Sequence, residues 1–150
     1  VGGVHPGEPS RKLEWEGPSL AVAICYEISD GLSISNAVRG GAEWILAIAN
    51  LDPYPISLQK QFLALAQLRS IENARDVVTA SNTGPTSLIR SSGKIENKLA
   101  PFKERLGFAK VDLSLKKTVY SRFRELPLFF LLIINLIKLR FLNTKNNKFF

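Results

Sequence analysis

Three short apolar segments predict the strands of a sheet. Leu20–Cys25 and Trp44–Asn50 have the length and composition of strands that are buried on both faces. Val77–Ser81 is a third strand of the same kind. Residues 1–19 are rich in glycine, proline and charge, which predicts a connecting arm without regular structure.

Two helices are predicted between these strands. Apolar residues recur at helical spacing over 57–75, and a weaker helical pattern covers 32–39. On the longer helix, Arg69, Glu72 and Arg75 follow one another at three-residue intervals. We expect these three side chains to form solvated ion pairs on the helix surface, with support of the wall of an active site as the alternative.

Polar turns divide the next part of the chain. The Asn-Thr-Gly-Pro sequence at 82–85 ends the third strand, and Ser-Ser-Gly at 91–93 separates the extended segments 86–90 and 94–96, which predicts a β-hairpin. Residues 108–113 alternate in polarity, as a last strand would. This order of elements predicts a layered α/β domain.

The segment 126–142 differs from all of these. Its first twelve residues are apolar except for Asn135. As a helix it would reach about 25 Å, close to the lower limit for crossing the core of a bilayer. We therefore expect a transmembrane helix over 125–142, with a core or interfacial helix as the alternative.

The positive charge is concentrated beside this apolar segment. The net charge is +7, and from residue 126 onward there are basic residues but no acidic ones. This arrangement favours attraction to a membrane surface over nucleic-acid binding. By the positive-inside rule, 143–150 would be a basic cytoplasmic tail and the preceding domain would lie outside, on the periplasmic side of a bacterial inner membrane.

Cysteine and histidine are too few for a disulfide or a metal site. The chain has one of each, and the lone histidine, His5, has no second ligand nearby. Glycine-rich nucleotide motifs and the G-x-S-x-G motif of serine hydrolases do not occur. The sequence therefore predicts no metal and no cofactor.

Cys25 is the residue best placed for chemistry. It ends the first strand just before a turn into a helix. Such a strand–elbow–helix presents a side chain at the sheet edge, beside backbone N–H groups that can hold an oxyanion. A thiol there can attack a carbonyl carbon. Position alone also allows a second interpretation, a small buried core residue.

The motifs around Cys25 resemble the second half of the nitrilase (carbon–nitrogen hydrolase) superfamily. They are Ile24-Cys25-Tyr26-Glu27, the strand leading to Asn50 and Asp52, the helix with Arg69, Glu72, Asn73 and Arg75, Asn82-Thr83-Gly84 and Gly93-Lys94-Ile95. The Cys-Tyr-Glu tripeptide and the terminal apolar segment are similar to one branch, the apolipoprotein N-acyltransferases of the bacterial inner membrane. The resemblance implies part of an α-β-β-α sandwich.

The resemblance also implies a Glu-Lys-Cys triad. In that family a Glu acts as general base, a Lys stabilises the oxyanion, and a Cys attacks the acyl ester of a phospholipid. The thioester then passes its acyl chain to the N-terminal amine of an apolipoprotein. Only Cys25 matches a triad member. The other two precede the nucleophile in the family, so they would belong to an upstream half of the same domain.

Four further residues are implied in substrate binding. Tyr26 and Glu27 would shape the acyl pocket, with the Tyr26 amide contributing to the oxyanion hole. For Glu27, a role in the first turn of a helix is an equal alternative. Asn50 would contact substrate, and Tyr54 would line the lipid entrance.

The resemblance divides the chain into four parts. Residues 1–19 form an arm, 20–124 the C-terminal half of the hydrolase domain, 125–142 the membrane helix and 143–150 the tail. Because the chain starts with Val1 and has no methionine, we expect a truncated sequence. Two other functions stay open: a soluble nitrilase-type amidase, which needs no terminal apolar segment, and a non-catalytic remnant that lacks the Glu and the Lys.

We predict that the 150-residue chain alone is inactive. Without a base and an oxyanion lysine, the thiol should lose orders of magnitude in rate. Intact-mass spectrometry after incubation with phospholipid should therefore find no acyl adduct. An adduct that is present on the chain but absent from Cys25→Ser would contradict this prediction.

Overall fold

A six-stranded sheet forms the centre of the computed structural model, which describes residues 12–13 and 15–146. The strands, in sheet order, are β1 Lys12–Leu13, β2 Leu20–Ile24, β3 Trp44–Ala49, β4 Val77–Ser81, β5 Thr86–Ile89 and β6 Ile95–Leu99. The helices are α1 Gly31–Arg39, α2 Ile56–Asn73, α3 Val119–Phe123 and α4 Leu126–Asn146. A 3-10 turn, Cys25–Ser29, follows β2.

The sheet is mixed, with both parallel and antiparallel strand pairs. β2, β3 and β4 are parallel, because α1 and α2 carry the chain back between them. β5 and β6 continue the sheet as the predicted hairpin, and β1 pairs antiparallel with β2. The predicted α/β architecture is confirmed, as are its three parallel strands and the two helices between them.

Two predictions about regular structure are wrong. The arm over 1–19 includes β1, whose residues pair with Leu20 and Ala21; residues 1–11 and 14 lie outside the described part. The expected strand over 108–113 forms no strand ladder. The segment is instead attached to the domain by a side chain, because the Asp112 N–H donates to the carboxylate of Asp76 at 2.9 Å.

The hydrophobic core lies on one face of the sheet. Alternate strand residues, Ala21, Ala23, Ile45, Ala47 and Val77, point to this face and are fully buried. They pack in one cluster with side chains of α1 and α2, namely Ile34, Ala37, Val38, Phe62 and Ala66. Small alanines on the strands let the helices approach the sheet closely.

The other face is not covered in the same way, so the prediction of strands buried on both faces is wrong for the described residues. Val22, Leu46 and Val78 are only half-buried, and Ile48 is 37% exposed. Their spacing in the strands makes them point away from α1 and α2. No second layer among the described residues buries this apolar surface.

Arg75 is buried at the junction of three segments, which corrects its predicted place in a solvated pair. Its side chain is 1% exposed. Nε donates to the Ala42 carbonyl at 2.9 Å, and Nη1 donates to Lys116 O at 2.8 Å and to the carbonyls of Asn73 and Ala74 at 3.1 Å. Burial lowers the pKa of Arg75 from its ordinary value. Backbone carbonyls therefore hold this guanidinium.

Arg69 is also buried, although it does form the expected pair with Glu72. The two side chains meet at 2.8 Å and are 7% and 15% exposed. Burial raises the pKa of Glu72, with the Arg69 charge opposing it. A Cβ on Gly31 would overlap the Arg69 guanidinium, so any larger residue here would force that side chain to move. The pair is thus enclosed between α1, α2 and the segment leading to α3.

Helix α4 is apolar and largely exposed along its first four turns. Consecutive side chains from Leu128 to Ile133 are each more than half exposed. The helix reaches Asn146, beyond the predicted end at 142. Within the part of the chain that the structure describes, no helix combines the length and apolar character needed to cross a membrane. The predicted transmembrane span is therefore not confirmed.

We expect Arg75→Met to lower the free energy of unfolding by about 3 kcal/mol, because the buried Ala42 carbonyl and the partly buried Lys116 carbonyl would lose their donor. Arg39→Met removes the same charge from an exposed site at the end of α1 and should cost about 1 kcal/mol or less. Urea unfolding followed by circular dichroism compares the two. Equal losses would contradict the proposed role of Arg75.

Candidate functional site

Cys25 occupies a strained elbow at the end of β2. Its φ angle is +54°, in the left-handed region that residues other than glycine rarely adopt. The 3-10 turn begins at this residue and leads into α1, whose first turn is capped by Asp30 accepting from the Ser33 N–H at 3.0 Å. The thiol is half-buried. The elbow predicted from the sequence is therefore present.

Glu27 fixes the geometry of this elbow. Its Oε2 accepts a hydrogen bond from the Ile24 N–H at 2.8 Å, reaching back across Cys25. The Ser29 hydroxyl donates to the Tyr26 carbonyl at 2.8 Å and tightens the same turn. Two roles were considered for Glu27, shaping the acyl pocket and supporting the first turn of a helix. This hydrogen bond matches the second role. Tyr26 itself is 82% exposed.

Three polar side chains meet where the parallel strands end. Cys25, Asn50 and Asn82 directly follow β2, β3 and β4, and the carboxyl ends of parallel strands lie at one edge of a sheet. Asn82 Nδ2 donates to Asn50 Oδ1 at 2.7 Å, and Asn82 Oδ1 accepts from the Leu51 N–H at 2.9 Å. The two asparagines thus hold the loops that flank the thiol.

Two cavities open on Cys25 from different sides. One of 630 Å³ lies at the strand ends and is lined by Cys25, Asn50, Ser81, Asn82, Thr86 and Arg105, with Ile24, Ile48, Ala49 and Ala80. The other, of 490 Å³, lies between the 3-10 turn and α2 and is mainly apolar; Cys25, Tyr26, Ile28, Ser29, Leu51, Tyr54, Leu58, Gln61, Phe62 and Leu65 line it. We call the first the polar cavity because of its hydrogen-bonding side chains, although apolar groups supply most of its surface, and the second the apolar cavity. The thiol lies between the two.

Tyr54 is placed by the loop after β3. Its N–H donates to the Leu51 carbonyl at 3.1 Å, and the Gln59 side chain donates to the carbonyls of both residues. The ring is 41% exposed and lines the apolar cavity together with Tyr26. The structure therefore brings Cys25, Tyr26 and Tyr54 together at one cavity and Cys25 and Asn50 together at the other.

This arrangement suits nucleophilic attack by the thiol on an acyl carbonyl. A carbonyl carbon at Cys25 could have its apolar chain in one cavity and its leaving group in the other. No three His, Cys, Asp or Glu side chains in residues 12–13 and 15–146 lie close enough together to hold a metal. His5, the one histidine, lies outside the described residues.

Sequence reasoning did not identify Arg105 or the α2 side chains of the apolar cavity. Arg105 comes 80 positions after the nucleophile, in an irregular segment with no periodic pattern. Phe62 and Leu65 read as ordinary core residues of an amphipathic helix. Only the tertiary structure places these three side chains beside Cys25.

Comparison by sequence finds apolipoprotein N-acyltransferases. The chain is 60% identical over 134 residues to the enzyme of one strain of Prochlorococcus marinus and 52% identical over 139 residues to that of another. A third, from Parasynechococcus marenigrum, is 52% identical over 123 residues. These matches cover 89%, 93% and 81% of the chain but 27%, 28% and 26% of the relatives. The chain therefore spans about a quarter of their length.

Comparison by structure finds the nitrilase fold. Nit3 of Saccharomyces cerevisiae, a nitrilase-superfamily member, matches with a TM-score of 0.59 at 20% identity, over 67% of this chain and 40% of that one. An amidase from Nesterenkonia sp., crystallised after Michael addition of acrylamide at its active-site cysteine, gives 0.53 at 20% identity, over 65% and 41%. At this identity the likeness shows the fold. No family model matches.

The elbow predicts an unusual preference for glycine at position 25. Because φ is positive, Cys25→Gly should be more stable than Cys25→Ala by about 1 kcal/mol. At Ala23, in the middle of β2, wild-type alanine should be more stable than Ala23→Gly. Urea unfolding of the three variants and the wild type measures both differences. Greater stability of Cys25→Ala would contradict the left-handed geometry.

Proposed function

Over the length that it shares with its relatives, this chain belongs to the apolipoprotein N-acyltransferase family, and on that premise we propose that it supplies the nucleophile of an acyl transfer from phospholipid to a lipoprotein. The observation that carries the proposal is the place of Cys25, on a strained elbow between an apolar and a polar cavity. The acyl chain of the donor would enter the apolar cavity, and the rest of the lipid would lie on the polar side.

The reaction proceeds in two steps that conserve atoms and charge. The deprotonated sulfur attacks the ester carbonyl, the C–O bond breaks, and the lysophospholipid leaves as an alcohol after taking up a proton. The amine of the apolipoprotein then attacks the thioester, forming an amide and returning the thiol. A thiolate suits this sequence because a thioester is a good acyl donor to an amine.

The residues around Cys25 would act by shape and by hydrogen bonding. The amide of Tyr26, at the start of the 3-10 turn, is our candidate donor to the oxyanion. Glu27 holds the elbow through the Ile24 N–H, so it would act as a positioning residue. Tyr54 would narrow the entrance of the apolar cavity, and Asn50 would line the polar one.

The general base and the oxyanion lysine that the family resemblance implies would come from residues outside these 150. No other residue of the chain is assigned to those roles, so the proposal concerns the nucleophile half of a site. Completion of the site by the remaining part of a longer protein fits the extent of the matches, which cover about a quarter of each relative.

We propose that α4 contacts lipid. Its exposed apolar side chains from Leu128 to Ile133 point in all directions around the helix, so no single protein surface among the described residues buries them. Lys138 would lie near lipid headgroups toward the basic end. We therefore propose a bacterial inner membrane as the location of the reaction, with the domain on its periplasmic side.

A chimaera tests this function with a complete site. In the Prochlorococcus marinus relative that is 60% identical, the homologous 134 residues would be replaced by those of this chain. We expect the chimaera to form an acyl-thioester at Cys25 in the presence of phospholipid and to acylate an apolipoprotein peptide. The Cys25→Ser chimaera should do neither.

Two results would contradict the proposal. One is acylation that persists in Cys25→Ser, which would remove Cys25 from the chemistry. The other is a chimaera that releases ammonia from small amides but takes no acyl group from phospholipid, which would favour the amidase. Both are read from the same preparations by mass spectrometry and an ammonia assay.

A further inference from the structure

The polar cavity beside Cys25 contains one side chain with a full positive charge. Of the described residues that line it, Arg105 alone is permanently ionised. It extends from the irregular segment after β6 and is exposed. The same cavity contains the thiol, so a cation faces the space next to the reacting atom.

Several of the other polar groups of this cavity bond to one another or to the backbone. Asn82 bonds to Asn50 and to the Leu51 N–H. The Thr86 hydroxyl donates to the Ser81 carbonyl at 3.1 Å and accepts from the Ser81 N–H at 3.0 Å. These contacts hold the wall in place. The side-chain amide of Asn50 can still donate a hydrogen bond, but Arg105 is the lining residue that offers a full positive charge to an anion.

Three other arginines of the domain already have partners. Arg69 pairs with a carboxylate, Arg75 is surrounded by backbone carbonyls, and Arg90 bonds to carboxylates of two buried or half-buried acids. Within residues 12–13 and 15–146, Arg105 makes no ion pair and no hydrogen bond. Its guanidinium is therefore available to a ligand in the cavity.

We propose that Arg105 binds the phosphate of the phospholipid donor. A guanidinium offers a planar fork of N–H groups that matches two phosphate oxygens. In a diacyl phospholipid only a few bonds separate the ester carbonyl from the phosphate. With the phosphate at Arg105 and the acyl chain in the apolar cavity, the ester carbonyl lies at Cys25. This inference rests on the proposed function and names the residue that recognises the donor's headgroup side.

Protection of the single cysteine measures this binding without any turnover. Alkylation of Cys25 by N-ethylmaleimide is followed by intact mass in a non-ionic detergent; the chain has one cysteine, so each adduct reports on this site. The probes are dihexanoyl-phosphatidylcholine, dihexanoylglycerol, which has no phosphate, and inorganic phosphate. The variants are Arg105→Gln and, as a control, Lys103→Gln, an exposed basic residue two positions away that does not line the cavity.

We expect the phospholipid to slow alkylation of the wild type. The phospholipid concentration that halves the alkylation rate should rise about tenfold in Arg105→Gln, because this variant loses one charge-assisted contact. Lys103→Gln should match the wild type. Dihexanoylglycerol should protect all three proteins equally, and inorganic phosphate should protect none. Arg105→Lys, which keeps the charge without the fork, should fall between wild type and Arg105→Gln.

Four outcomes would overturn the proposal. They are absence of protection by phospholipid in the wild type, an unchanged half-protecting concentration in Arg105→Gln, an equal rise with dihexanoylglycerol, and protection by inorganic phosphate as strong as that by phospholipid. The last would mean a general anion site. Thioester formation in the chimaera is a separate measurement, so failure here with normal acylation there would reject the role of Arg105 alone.

Discussion

The arrangement of the domain depends on the hydrogen bonds of the buried Arg75 guanidinium. It lies where α2 passes into β4 and binds carbonyls from the turn before β3, from the end of α2 and from the segment that follows the hairpin. Five backbone and side-chain acceptors surround one cation, so no carboxylate is needed beside it. Its neighbour Asp76 accepts from the Ser91 and Asp112 N–H groups and from Arg90. Together the two residues attach three segments to one corner of the sheet.

The contacts at this corner also determine where the site forms, at the opposite edge of the sheet. When β3 and β4 start side by side, their pairing from Ile45 with Val77 onward brings their ends level, and β2 pairs with β3 in the same way up to Ile24. Cys25, Asn50 and Asn82 then leave the sheet as neighbours. The positive φ of Cys25 has a cost in conformational energy, which the Glu27 hydrogen bond and the packing of Ile28 in the core offset. Contacts at the same edge of the sheet thus support the strained elbow.

The two apolar surfaces of the chain have different environments. The sheet face with Val22, Leu46 and Val78 is half-buried and flat, which suits contact with another protein layer. Helix α4 exposes apolar side chains on all its sides, which suits lipid. Between them, Thr118 donates to the Glu72 carbonyl and joins the start of α3 to the end of α2. The domain and α4 are therefore connected through a hydrogen-bonded segment.

Local sequence was enough to predict the three parallel strands, the two helices between them, the hairpin and the elbow, because these follow from local periodicity and from turn residues such as Gly93, whose φ is +84°. It also marked Cys25, Tyr26 and Tyr54, which the structure brings to one cavity. It could not determine the burial of Arg69 and Arg75, since a charged residue on a helix is normally solvated and only distant carbonyls change that. Tertiary contacts likewise determined that residues 108–113 form no strand and that Arg105 lies beside Cys25. Strand pairing and cavity lining depend on which distant segments meet, and a local pattern contains no information about that meeting.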